Sequence, residues 1–184
     1  VQMGINIKKT SCFREIKRNK CTNSELVRPE RRCRGGNLIK ERIFINTDIP
    51  LYSVSENNSC KNACLRVLQS VINEDMEGVT DALVLQELLY SLKKTVGLKK
   101  SLEVFDSISC IISEVLNITA EDVFMSRELS EKYPNAGGRD LLHLAVMINN
   151  GINTLYTLDN AFSVFTELSC VNPLSLFAKG GPGK

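Results

Sequence analysis

A single histidine among 184 residues removes several kinds of chemistry at once. A Ser-His-Asp or Cys-His arrangement has only His143 to draw on, and no such arrangement is supported. Zinc is as poorly served. The seven cysteines include no C-x₂-C knuckle, and Cys12, Cys21 and Cys33 are too widely spaced to form one. Their count is odd, and Cys64 and Cys110 fall among apolar residues, where a free thiol behaves as a small hydrophobe. Cys170, in the stretch LSCV, reads the same way. Reduced thiols and a cytoplasmic location are the expectation. No apolar run approaches the ~18 residues of a membrane-spanning helix. The first thirty residues are basic but have no apolar core, which argues against a secretory signal.

What is present is an ordinary apolar share, 43%, enough for one globular domain with a real core. The net charge of +2 hides an asymmetry: residues 1–45 carry twelve Lys/Arg against four Glu, and the remainder eleven against seventeen acids. Residues 1–41 are expected to form a basic, loosely ordered extension, because they offer too little apolar surface to offset ordering entropy. Such an arm is either an RNA-contacting element acting through phosphate attraction or a plain disordered extension. The glycine-rich end, 178–184, reads as a flexible tail.

Between these ends the pattern alternates strand and helix. Ile43–Ile45 is a short apolar strand closed by a polar turn, and Pro50 suits the first turn of a short helix. Ala63, Cys64, Val67, Leu68, Val71 and Ile72 make a helical stripe over 60–73. Gly78–Thr80 reads as a strand and Asp81 as the N-cap of a helix over 82–96. A helix over 102–113 and a strand over 115–118 follow. Thr119 with Asp122 has the form of a capping box. Gly137-Gly138 precedes a helix over 139–149 that Gly151 closes. Strands over 154–157 and 168–171 enclose a short helix over 160–165. This alternation predicts a parallel sheet covered on both faces.

In such a sheet, strand C-termini and helix N-termini share one edge. Asn46 and Asp48 follow the first strand, Asp159 follows a later one, Asp140 opens a helix, and Glu87 lies two turns into another. Glu87 sits among leucines, where a carboxylate is rarely placed unless paired or metal-linked. Two carboxylates ~4 Å apart repel by about 4 kcal/mol at an effective dielectric near 20, so a cluster of them calls for a cation or raised pKa values. Oxygen donors without imidazole or thiolate suit Mg²⁺ or Mn²⁺. Each residue also has a plainer role: Asp81 a cap, Asp140 a dipole-favoured first-turn acid, and Asp159 an Asx-turn or cap. His143, one turn after Asp140, could hydrogen-bond it or touch substrate, but the preferred reading is packing or support of a neighbouring group. Lys93, Lys94, Lys99 and Lys100 either line an RNA path or are simply solvated.

Taken in order, IFINTDIPLY at 43–52, TDALVLQELLYSL at 80–92, GRDLLHLAVMINNGINTLYTLDNAF at 138–162 and the closing SCVNPLSLF resemble the PIN domain. That family comprises metal-dependent ribonucleases and includes the toxins of type II toxin–antitoxin pairs (VapC-like). The resemblance implies a three-layer α/β/α fold with a mostly parallel sheet over 42–177. It also implies a Mg²⁺- or Mn²⁺-dependent endoribonuclease, an antitoxin protein as partner and a homodimer. Glu87, Asp140 and Asp159 match the second, third and fourth acidic residues of the family, with Asp140 and Asp159 as main metal ligands. Glu87 would bind metal through water or orient the nucleophile. The first acidic position holds Asn46, which has a carbonyl but no charge. Asp48, about 6–7 Å further along an extended chain on the same side, partly compensates. Asn46 also supports an alternative, a catalytically silent PIN-fold module that binds RNA or a protein.

Overall fold

The computed structural model describes residues 40–55 and 58–178. The basic extension expected over 1–41 falls outside them except for Lys40 and Glu41, and so does the tail after 178. Five strands form one sheet in the order β3-β2-β1-β4-β5, with every neighbouring pair parallel. They are β1 (Arg42–Ile45), β2 (Glu77–Asp81), β3 (Glu114–Leu116), β4 (Thr154–Tyr156) and β5 (Ser169–Val171). The helices are α1 (Asp48–Val54), α2 (Lys61–Ile72), α3 (Ala82–Val96), α4 (Leu98–Ile111), α5 (Ala120–Lys132), α6 (Gly138–Asn149) and α7 (Pro173–Ala178). A 3₁₀ turn spans Asn160–Val164.

The pleat of β1 sorts the core into two halves, because successive side chains leave a strand on opposite faces. Ile43 and Ile45 pack with Ile49 of α1, Cys64, Val67 and Val71 of α2, Leu88 and Leu92 of α3, and Val104 and Ile108 of α4. Phe44 goes the other way, with Val79 and Leu155 onto Leu144 and Met147 of α6. The result is the three-layer α/β/α arrangement expected from the sequence. β1 is fully covered on both sides, with Ile43 and Phe44 at 0% exposure, which is why it reads as an unbroken apolar run.

Local chemistry fixes the boundaries. Asp81 ends β2 and caps α3 by accepting from the Val84 N–H at 2.8 Å. Thr119 and Asp122 complete a reciprocal capping box on α5, and Asn149 Nδ2 donates to Asp122 at 2.7 Å, tying α5 to the end of α6. Several boundaries shift by a residue or two, the strand expected over 115–118 running Glu114–Leu116, and the largest difference is at α4. α4 starts at Leu98, four residues ahead of the predicted 102, because Gly97 takes φ 79° and turns the chain directly from α3 into α4. Cys170 also departs from its reading as a buried hydrophobe; it is exposed, since β5 is an edge strand.

Gly78 shows how closely α2 lies on β2. A Cβ there would stand 2.8 Å from both Ile45 Cδ1 and Val71 Cγ2, the close approach that a strand glycine permits. Gly78→Ala should therefore destabilise the domain by about 1–3 kcal/mol through overpacking, read as a lower denaturant midpoint with unchanged slope. An unchanged midpoint would mean the α2–β2 contact relaxes freely.

Candidate active site

β1 lies between β2 and β4, and the connections from β1 and β4 leave in opposite directions. That reversal opens a crevice at the carboxyl ends of the two strands, where ligands of open parallel sheets bind. The crevice here is a cleft of about 320 Å³. Asn46, Asp48, Glu87, Asp140 and Asp159, the five positions singled out from the sequence, all line it, together with Arg139 and His143. The four lysines considered for an RNA path do not.

Glu87 is densely partnered. It accepts from the Thr47 hydroxyl at 2.8 Å and from Arg139 Nη1 at 2.7 Å. His143 Nε2 stands 3.7 Å away, an ion-pair contact rather than a hydrogen bond. His143 itself is buried and donates from Nδ1 to Asp81 at 2.6 Å. Its nitrogens thus face Asp81 and Glu87, not Asp140 as the helical spacing allowed. Burial works against the imidazolium, yet the hydrogen bond to Asp81 and the close carboxylates of Asp81 and Glu87 outweigh it and push the His143 pKa up to about 9. Burial likewise opposes ionisation of Glu87, but His143, Thr47 and Arg139 hold its pKa down to about 2. Asp81, read as a cap, is both a cap and the partner of this histidine.

The remaining carboxylates are less fully compensated. Asp140, in the first turn of α6, has its pKa raised by burial, then by the charge of Asp159 and to a lesser degree that of Glu87, against lowering from His143 and Arg139. Asp48 is raised by burial too, with Asp159 adding to it, in spite of hydrogen bonds from Leu158 N–H and the Thr157 hydroxyl. Its Oδ1 is buried with no hydrogen-bond partner among the described residues. Asp159 caps the 3₁₀ turn by accepting from Ala161 N–H at 2.8 Å. The 46–48 segment is not extended, as the sequence reading assumed: Thr47 has φ −56° and ψ −34°, and Asp48 already belongs to α1.

Thr157 was not singled out from the sequence, although it stands two residues before Asp159. Its buried hydroxyl touches three parts of the cleft: Asn46 Nδ2 at 3.0 Å, Asp48 Oδ2 at 2.9 Å and Asp159 N–H at 3.0 Å. Thr47 and Arg139, also missed, act on Glu87. Among the described residues no three His, Cys, Asp or Glu groups close around a single point. The donor set still fits a hard divalent ion. It is made of oxygens, the charge of Asp159 helps to raise the pKa values of Asp140 and Asp48, and Asp48 Oδ1 is a buried acceptor without a hydrogen-bond partner. Mg²⁺ keeps several waters and commonly takes only one or two carboxylates.

The pKa values carry a sign for stability. A histidine raised from 6.5 to about 9 stabilises the fold fully below pH 6.5, and that contribution is lost as the pH rises through about 9. Glu87, lowered from 4.5 to about 2, contributes above pH 4.5 and loses its contribution as the pH falls through about 2. Metal-free protein should therefore lose stability between pH 6.5 and 9, and His143→Gln should flatten that window. Chemical denaturation of both chains across the range checks this; parallel curves would show that His143 is not paired as described.

The PIN domain family model matches residues 61–168. Ribonuclease VapC13 of Mycobacterium tuberculosis is 32% identical over 126 residues, covering 67% of this chain and 94% of that protein. Ribonuclease VapC23 of the same species is 28% identical over 121 residues, 66% of this chain and 95% of the relative. Among solved structures, VapC20 of M. tuberculosis, a sarcin–ricin loop cleaving toxin, is similar at a TM-score of 0.58 and 21% identity, covering 68% of this chain and 98% of its own. VapBC2 from Rickettsia felis, bound to a DNA fragment from its promoter, gives 0.58 at 20% identity over 71% of this chain and 98% of its own. With more than half of its length matched, a five-stranded parallel sheet of the expected layering and relatives named as VapC ribonucleases, the chain belongs to the PIN domain family.

Proposed function

We propose that the protein is an endoribonuclease of the toxin type that hydrolyses RNA phosphodiesters with Mg²⁺ or Mn²⁺. The observation that carries this reading is the carboxylate-lined cleft at the ends of β1 and β4. The residues on it come from four separate stretches of the chain. The relatives bearing the name ribonuclease support the same class of activity.

Asp140 and Asp159 would hold the ion, and Asp48 adds a third carboxylate with a free oxygen. A bound divalent ion supplies Lewis acidity toward a phosphate and lowers the pKa of water. Glu87, kept ionised by His143, Thr47 and Arg139, orients water or an outer ligand by accepting a hydrogen bond. The Arg139 side chain, 73% exposed at the mouth of the cleft, offers donors to an incoming phosphate once it swings from Glu87. An anionic substrate approaching carboxylates needs attraction from elsewhere, and the basic stretch 1–41 fits that role.

Other elements of the reading come with the family. Structural neighbours include a toxin–antitoxin complex from Klebsiella pneumoniae. An antitoxin protein as partner, a homodimer and a cytoplasmic location follow as proposals. No helix among the described residues is long and apolar enough to cross a membrane. Asn46 favours a second reading, a silent PIN-fold module that binds RNA or protein without cutting it.

Single-stranded RNA incubated with the full chain in Mn²⁺ should be cleaved, and Asp140→Asn should slow cleavage about a hundredfold or more. That loss corresponds to about 2.7 kcal/mol of the several that a metal site contributes. If the unaltered chain leaves RNA intact in both Mg²⁺ and Mn²⁺ but retains it on a filter, the silent module is the correct reading.

A further inference from the structure

The reading of the cleft as a divalent-cation site leaves open how it works with an amide at position 46. We propose that Asp48, held by Thr157, supplies the carboxylate that the cleft takes from the end of β1, and that this network requires Asn rather than Asp at position 46. The hydrogen bonds fix one another's direction. The Thr47 N–H can only donate, and it meets Asn46 Oδ1 at 2.8 Å. The amide oxygen is thereby placed, and the amide nitrogen must face Thr157 Oγ1 at 3.0 Å. That nitrogen also only donates, as does the Asp159 N–H at 3.0 Å from the same hydroxyl. Both lone pairs of Thr157 are thus engaged, and its one hydrogen is left for Asp48 Oδ2 at 2.9 Å.

Asp48 Oδ2 further accepts from the Leu158 N–H at 2.5 Å. Two donors therefore hold Oδ2 of Asp48, the Ile49 N–H also favours its carboxylate, and Oδ1 is a buried acceptor without a hydrogen-bond partner that a bound ion would satisfy. An Asp at position 46 would break this order. Its second oxygen would replace the amide nitrogen against Thr157, and the hydroxyl has only one hydrogen for two carboxylates. Whichever it chose, the other would face a lone pair about 3 Å away, close to a second buried charge. Asn46 is then a positioning residue, with Thr157, and the acidic role lies two residues further on.

The test uses Mn²⁺ alone, titrated calorimetrically into the full chain, together with unfolding of the metal-free protein. Asp48→Asn and Thr157→Val should each weaken Mn²⁺ binding about tenfold or more, as loss of a ligand or of its support does. Thr157→Ser keeps the hydroxyl and should stay within about threefold; it also guards against a Thr157→Val chain that does not fold. In metal-free protein Asn46→Asp should lower the unfolding midpoint, and lower it less in an Asp48→Asn background, because the competing carboxylate is gone. If Asp48→Asn binds Mn²⁺ like the unaltered chain while Asp140→Asn does not, the role of Asp48 is overturned and the cation site stands. If Asp140→Asn has no effect either, or the unaltered chain binds no Mn²⁺, the cation-site reading fails and this inference with it. Asn46→Asp and Asp48→Asn effects that simply add would overturn the hydrogen-bond order proposed for Thr157.

Discussion

Like charges crowded at the edge of a parallel sheet repel, and that repulsion organises the cleft. Strand ends and helix starts meet there, so short polar side chains from distant stretches are brought together. The molecule resolves the conflict most fully at Glu87. Glu87 is neutralised by Arg139 and the buried His143–Asp81 pair, and it also accepts from Thr47. Asp140 and Asp48 have no comparable cation and carry raised pKa values, with Asp159 contributing to both. Carboxylates left with less compensation than Glu87 are what a cation would complete.

The core makes this asymmetry possible. Phe44, Ile45 and Ile49 are essentially unexposed, so the turn between β1 and α1 rests on packed side chains on both faces. His143 is held by the same packing, tilted against Phe44 with ring centres 5.9 Å apart. A charged imidazole in such a place is tolerable only because two carboxylates flank it. The rigidity of the layer beneath is thus what allows polar groups above it to keep fixed hydrogen-bond directions.

Much of this was legible in the residues themselves. The strand at 43–45 and the capping residues Asp81 and Thr119 each carry their own local signal and form as read. The strand expected over 154–157 stops at Tyr156, and the stripe over 60–73 forms a helix whose last member, Ile72, is exposed. The lining of the cleft by Asn46, Asp48, Glu87, Asp140 and Asp159 was legible because topology, not detail, brings them together. Gly97 was passed over, and α4 was started too late, because a positive-φ glycine joining two helices leaves little trace in periodicity. Thr47, Arg139 and Thr157 were not seen at all. Their roles come from hydrogen bonds across 40, 52 and about 110 residues of sequence, a range where spacing says nothing. His143, expected to pack or to support a neighbouring group, does both: it is buried, and through Asp81 it joins α6 to the junction of β2 and α3.

The described sheet ends on β3 and β5, each of three residues. Rims this short offer few free backbone donors and acceptors to a neighbouring strand. A second molecule has little to gain by extending the sheet sideways, so association between copies would have to proceed through the helical layers. Those layers carry exposed apolar side chains such as Tyr90 on α3 and Phe124 on α5.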